Sequence, residues 1–330
     1  MRLPNIYATP YYKLYIVISI AIAIAAFMVL PGLKYGIDLN GGTQLMVTVT
    51  QDVSEADITA QLAKYALDDL SVRFSENPLT GKKGIIVEFA GTPDLIEADA
   101  IVDTDPQLAL ALATPFVKSE IPESATPREV VELAKADFTR EVQDDLAEFL
   151  GVPQDNIGSV EIGASLGKAF WETSQRALLV AFFLIAAIVF ILFREIVPSI
   201  AVIQAAVFDV FIALGCMAFF GIPLTLPTIA ALLMMLGHSV DTDILITDRI
   251  LKRKQGTPAE RAFGAMKTGV TMTGTLLIVL VVLVVFSHFN QMTTLFQIAA
   301  VLMFGMLADL PSTYFTNSVM VQWWAERKNK

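Results

Sequence analysis

Six apolar stretches of near-membrane length constrain this chain more than any other feature. They run from Leu14 to Leu30, Ala177 to Phe193, Ile196 to Phe220, Leu226 to Ile246, Val270 to Phe286 and Leu295 to Trp324. A helix needs roughly 20 apolar residues to cross about 30 Å of hydrocarbon. One such stretch could be a core helix of a large soluble protein, but six in 330 residues cannot. Composition agrees: 55% of the residues are hydrophobic, 17% are charged and the mean hydropathy is +0.60. The chain reads as a multi-pass protein of the cell membrane, with lipid as its surroundings.

The first stretch has a basic flank in Arg2 and Lys13, as a cleaved signal peptide would. It starts late, however, and continues into LPGLKYG without a small-residue cleavage site, so a retained span is expected. Lys and Arg near span ends set orientation. Arg249, Lys252, Arg253, Lys254, Arg261 and Lys267 fall in an expected basic loop, 249–267. Arg327, Lys328 and Lys330 follow the sixth span, Arg194 separates the second and third, and FFGIPLTLP and SHFNQMTT carry no basic residue. Six spans put every basic segment on one side, with both termini in the cytoplasm.

That topology divides the chain into residues 1–31, an outer segment 32–176 and a five-helix bundle 177–330. From Gly32 to Lys168 there are 24 acidic and 10 basic residues, a surface that repels nucleic acid and anionic lipid headgroups. GGTQLMVTVT alternates and is β-branched, hence a strand. Ser54 is a candidate N-cap, with Asp57 in the capping-box position. LSVRFSE and KGIIVEFAG read as strands joined by the hairpin-like NPLTGK. The Pro- and acid-dotted stretch 92–126 reads as an insertion with one short helix at PQLALALATPF. Pro127 and Gly151 bracket a long helix, and NIGSVEIG supplies a last strand. The expected fold is therefore six transmembrane helices, with an α+β ferredoxin-like extracytoplasmic domain of order β-α-β-β-α-β inserted between helices 1 and 2.

Several motifs resemble one family. GIDLNGGTQL (36–45), SVEIGASLGKAFWETSQRAL (159–178), FDVFIALG (208–215), GIPLTLPTIAALLMMLGHSV (221–240) and DRI followed by GTP resemble the SecD/SecF family of protein-export membrane subunits. Within it they are most similar to the SecF branch in an archaeal-like variant. The resemblance implies an ion-coupled protein of the resistance-nodulation-division type that pairs with a SecD-like subunit. It also implies association with a SecYEG-type channel and use of the proton or sodium gradient to help preproteins across. A small-molecule transporter subunit of the same superfamily and a non-transporting translocon scaffold are the alternatives.

The chemistry concentrates in GHSVDTDILITDR (237–249). At about 100° per residue, His238, Asp241 and Asp248 share one helix face, while Asp243 points about 200° away from Asp241. Carboxylates in hydrocarbon cost a few kcal/mol each on insertion scales, so each should face protein, a cavity or the interface. Asp209 and Asp309 lie mid-span and join Asp241, Asp243 and His238 as ion-coupling candidates. Bacterial members of the family typically read N-D-T where this chain reads Asp241-Thr242-Asp243, so their coupling aspartate aligns with Thr242. Their span-five arginine aligns with Met272 or with Lys267, which makes Lys267 a further candidate. Asp38, Gly41, Gly42 and Gly237 are the expected junction or hinge positions. Gly81-Lys82-Lys83-Gly84 lacks P-loop spacing, and no hydrolase motif or metal-ligand spacing is present, so no enzyme activity, cofactor or metal is expected. Cys216 is the lone cysteine, which precludes an intramolecular disulfide.

Overall fold

The computed structural model describes residues 5–49, 53–76, 83–253, 255–290 and 292–328. The expected hairpin loop at 77–82 and the basic residues Arg2, Lys254 and Lys330 lie outside the described residues. The elements are, in chain order, α1 (Tyr15–Val29), α2 (Ile37–Asn40), β1 (Gly42–Val49), α3 (Glu55–Leu62), β2 (Ser71–Glu76), β3 (Lys83–Phe89) and α4 (Pro93–Ile101). Next come α5 (Pro106–Ala113), α6 (Pro127–Leu150), β4 (Ile157–Ile162), α7 (Ala164–Phe193), α8 (Ile196–Phe220) and α9 (Leu226–Lys252). The chain ends with α10 (Pro258–Phe289), α11 (Thr293–Pro311), a π-helical segment (Ser312–Asn317) and α12 (Ser318–Lys328).

Two compact units result, one of Met1–Lys34, Ser174–Ser287 and Thr293–Lys330, the other of Tyr35–Thr173 with His288–Met292. The second unit holds a four-stranded antiparallel sheet of order β2-β3-β1-β4. Alternation along β1 turns Leu45, Val47 and Val49 to one face, and β3 adds Ile85, Val87 and Phe89. Ile58 and Leu62 of α3 and Phe138, Val142 and Leu146 of α6 cover that face. Each such side chain stabilises the unit by roughly 1.5–3 kcal/mol relative to exposure. Ser54 and Asp57 form the expected capping box, and α6 starts at Pro127 and ends at Gly151 in a left-handed conformation. The stretch expected to hold one short helix holds two. α4 was masked in the sequence by its acids, yet Thr92 caps it, accepting from the Leu95 N–H, and Pro93 fills its first position. Asp137 of α6 accepts from the Ser119 hydroxyl and from the N–H groups of Ser119 and Lys118. These bonds hold its carboxyl below the usual carboxylate range, so their stabilisation is present at neutral pH and is lost as pH falls through the lowered value.

Gly41 and Gly42 adopt φ of 79° and 135°, and a Cβ on Gly42 would lie 2.5 Å from the Phe89 carbonyl oxygen. No side chain fits there. The first turns of α7 press on the same place, where a Cβ on Gly167 would lie 2.6 Å from the Gly41 nitrogen.

Among the described residues six helices are long and apolar enough to span a membrane, most of their length in the first unit. α8, α9 and the α11–α12 pair form its inner group, while α1, α7 and α10 leave most of their apolar surface outward. α9 and α11 touch closely at Gly305, where a Cβ would overlap the Met235 sulfur. The expected basic loop 249–267 is instead mostly helix among the described residues: α9 continues to Lys252 and α10 starts at Pro258. The charges do not end the helices because they fit them. Asp248 pairs with Lys252 at 2.6 Å one turn apart, and Arg249 and Lys252 sit in the last turn, where cations favour the helix dipole. Thr257 and Glu260 exchange bonds as a cap at the start of α10. α7 likewise begins 13 residues before the expected span at 177.

Replacing Gly42 by Ala should destabilise the protein by about 1–3 kcal/mol through backbone strain. Gly163→Ala, where nothing lies within 4 Å of the added carbon, should be neutral. Equal thermal midpoints of the two purified variants would contradict the assignment.

Candidate functional site

Three aspartates of the first unit are fully buried: Asp209 of α8, Asp243 of α9 and Asp309 of α11. Among the described residues no Lys, Arg or His forms a salt bridge with any of them. Their partners are small hydroxyl and amide side chains. Asp209 accepts from the hydroxyls of Ser239 and Ser312. Asp243 Oδ1 accepts from Asn317 Nδ2 at 2.7 Å and is 2.7 Å from Thr313 Oγ1. The same Thr313 oxygen lies 2.8 Å from Asp309 Oδ1. Asp243 Oδ2 and Asp309 Oδ2 are buried with no hydrogen-bond partner among the described residues.

The π-helical segment makes this arrangement. Pro311 has no N–H to donate back along α11, and its ring clashes one turn earlier, so the helix widens after it. Ser312, Thr313, Thr316 and Asn317 all become buried in the widened turn. The Ser19 hydroxyl of α1 donates to the Pro311 carbonyl at 2.6 Å, and the Ser318 hydroxyl donates to the Thr313 carbonyl at 2.9 Å. Both bonds fix the backbone on either side of Thr313.

A hydroxyl carries one hydrogen, so Thr313 can donate to one of its two carboxyls only. The legs of 2.7 and 2.8 Å put the two Oδ1 atoms within about 5.5 Å of each other. Two full negative charges at that separation repel by about 3 kcal/mol at an effective dielectric of about 20, beyond a desolvation cost of several kcal/mol per ion. One proton on the pair removes the repulsion and gives Thr313 a carboxylic O–H to accept.

The sequence candidates separate accordingly. Asp209, Asp243 and Asp309 come together, whereas Asp241 is exposed on the opposite side of α9, as the 200° angle requires. His238 is half-buried with Nε2 unpartnered, and its carbonyl accepts from the buried Thr242 hydroxyl at 3.2 Å. Thus Thr242 bonds its own helix, and Asp243, one residue on, supplies the inward carboxyl. Lys267 is exposed, its Nζ 4.4 Å from the Phe263 ring centre, and it forms no salt bridge with the three acids. Gly237 lies exposed in unbroken helix with nothing within 4 Å of an added Cβ. Asp38 is half-buried in the first turn of α2, beside the Gly41–Gly42 junction. Among the described residues no acid, His and Cys group could hold a metal ion. Sequence reasoning missed Ser239, Ser312, Thr313 and Asn317. The available signal was STYFTNS directly after Pro311, five small polar residues in seven inside an apolar span.

Thr313→Val should leave both carboxyls without their bridge and destabilise the protein by roughly 1–3 kcal/mol, while Thr313→Ser should stay close to the parent. Thermal unfolding in detergent checks this, and a Val variant as stable as the Ser variant would contradict the bridge.

Comparison with known proteins places this arrangement. The family model "Protein export membrane protein SecD/SecF, C-terminal" matches residues 144–327, which include all three buried aspartates. A protein-export membrane protein SecF of Methanothermobacter thermautotrophicus is 32% identical over 320 residues, 96% of this chain and 93% of that protein. SecF of Methanocaldococcus jannaschii is 38% identical over 207 residues, 61% of this chain and 73% of that one. The crystal structure of SecDF from Thermus thermophilus, a translocon-associated membrane protein, superposes with a TM-score of 0.65 at 19% identity. It covers 99% of this chain, which spans 38% of that longer one, and it shows a shared fold. With a near-full-length relative at this identity and a family model over more than half its length, the chain belongs to the SecD/SecF family of protein-export membrane proteins, in its SecF branch.

Proposed function

We propose that this chain is the SecF-type accessory subunit of a Sec export machinery and that it carries a proton between Asp243 and Asp309. The carrying observation is the single hydroxyl of Thr313 between two buried carboxyls that no cation neutralises. A carboxyl pair holding one proton changes its net charge when a proton arrives or leaves, and hydrocarbon makes that change costly unless the helices repack. α9 carries one acid and α11 the other, so the repacking falls on the close α9–α11 contact at Gly305. Asp209, held by Ser239 of α9 and Ser312 after α11, tethers α8 to both.

The remaining assignments follow from the family and from the pattern of the chain. Residues 1–31 hold the N-terminus and the first span, 32–176 an acidic extracytoplasmic domain and 177–330 the five-helix bundle, with both termini cytoplasmic. The order β2-β3-β1-β4 with α3 and α6 on one face supports a ferredoxin-like reading of the outer domain. The outward apolar faces of α1, α7 and α10 meet lipid and a SecD-like subunit. A SecYEG-type channel is the site of action, and secreted preproteins are the cargo. Asp241, exposed on α9, faces the partner subunit.

Export driven by the proton gradient tests the carrier. Asp243→Asn should abolish the gradient-dependent part of preprotein export while folded protein persists. Asp241→Asn should export normally and instead weaken co-purification with the SecD-like subunit. Parent-level, gradient-dependent export by Asp243→Asn would leave the acids structural and favour a scaffold.

Orientation is tested separately with Ser124→Cys in a Cys216→Ala background. A membrane-impermeant thiol reagent should label this exposed position in intact cells. Labelling only after membrane disruption would reverse the topology.

A further inference from the structure

Residues 5–14 precede the first span and pack into the first unit. Asn5 caps a short 3-10 turn, its Oδ1 accepting from the Tyr7 N–H at 3.0 Å, and its Nδ2 donates to the Ala259 carbonyl of α10 at 3.2 Å. The Tyr7 carbonyl accepts from Gln322 Nε2 of α12 at 3.1 Å, and the Tyr12 hydroxyl donates to Glu326 Oε2 at 2.7 Å. Tyr7 itself is 1% exposed and packs in one cluster with Ile246 and Ile250 of α9, Ala262 and Ala265 of α10 and Tyr314. Its hydroxyl donates to the Tyr314 carbonyl at 2.9 Å, and that carbonyl belongs to the π-helical segment, one residue after Thr313.

This layer stands between the carboxylates and the end of the bundle where residues 5–14 and 322–328 lie. On its inner side Ser318 holds the Thr313 carbonyl and Asn317 holds Asp243. The Tyr314 ring seals the side toward α10, its hydroxyl 2.3 Å from where a Gly269 Cβ would be. A phenylalanine at position 7 would pack as well, so the hydroxyl has a purpose other than filling space. It joins a segment outside the helices to the one irregular turn that positions the proton-bridging hydroxyl. Burial pushes the Tyr7 phenol well above its ordinary value, so it remains a neutral hydrogen-bond donor.

We propose that residues 5–14 are a cap on the buried-carboxyl site and that Tyr7, through its bond to the Tyr314 carbonyl, is the latch controlling access to that site from this end of the bundle. The inference rests on the reading that the Asp243–Asp309 pair exchanges its proton with an aqueous phase. With the latch bonded, the apolar layer excludes water. With it released, the buried Thr316 Oγ1 and Gln322 Oε1, which have no hydrogen-bond partner among the described residues, offer hydrogen bonds to entering water.

Access can be read directly, whatever the fate of the proton. Ser318→Cys, fully buried beneath Tyr7, and Ser287→Cys, fully buried at the far end of α10, are placed singly in a Cys216→Ala background. The full chain in native membranes is treated with N-ethylmaleimide, with Tyr7 or Tyr7→Phe. Losing one net hydrogen bond should raise labelling at Ser318→Cys by about fivefold to tenfold and leave Ser287→Cys unchanged. Unchanged labelling at Ser318→Cys would overturn the latch while leaving proton carriage standing. Equal increases at both positions would also overturn it, since general loosening would explain them. If Tyr7→Phe yields no folded protein, Asn5→Ala tests the same cap through its bond to Ala259, and unchanged Ser318→Cys labelling there would overturn the cap.

Discussion

One hydroxyl group serves two carboxyls at the centre of this protein. Thr313 Oγ1 lies within hydrogen-bond distance of both Asp243 and Asp309 and has one hydrogen to give. Hydrocarbon around the bundle makes the imbalance matter, because an uncompensated carboxylate there cannot borrow solvent. Much of the inner bundle can be understood as the framework that holds this one oxygen in place. Pro311 widens the turn, Ser19 and Ser318 hold the carbonyls around it, and Gly305 lets α11 approach α9. Asn317 donates to the same Asp243 oxygen, and among the described residues the Oδ2 of each acid has no partner.

The same arrangement explains how the chain departs from its bacterial relatives in motif. Where an N-D-T sequence presents its acid in the middle, this chain has Thr242, whose hydroxyl is absorbed by the His238 carbonyl. The acid has moved one residue, to Asp243, about 100° around the helix. There its side chain meets Thr313 and Asn317 of the π-helical segment. Lys267, one of the two positions (with Met272) that the resemblance aligns with the bacterial arginine, lies exposed against Phe263 and forms no salt bridge with the acids. Hydroxyl and amide partners stand where a cation would, and a pair of acids held that way escapes mutual repulsion only when it holds a proton.

Much of this was legible in the sequence. Apolar length gave six spans because the bilayer sets a minimum that few core helices reach. The 3.6-residue period alone separated Asp241 from Asp243, and Ser54-Asp57, Pro127 and Gly151 marked their helix ends by local hydrogen bonding. Two kinds of feature are hard to read from the sequence, helix ends disguised by charge and partners distant along the chain. The basic run 249–267 has the composition of a loop although its charges suit helix ends, and the acids around Thr92 obscure the N-cap of α4. Thr313 and Asn317 carry no charge, so nothing in a charge-based reading drew attention to them, and their meeting with Asp243 spans 70 and 74 residues. The π-helical widening that unites them depends on tertiary packing around Pro311, to which periodicity is blind.

The central claim is that the native site holds a proton on the Asp243–Asp309 pair. Infrared spectroscopy of the purified protein in lipid at neutral pH measures this directly through the carbonyl stretch of protonated carboxyl groups. The account predicts such a band in the parent chain, diminished in the Asp243→Asn, Asp309→Asn double variant, where only Asp209 remains of the three buried acids, and retained in full in Asp241→Asn. A parent spectrum showing only ionised carboxylates, or a band that survives the double substitution intact, would contradict it.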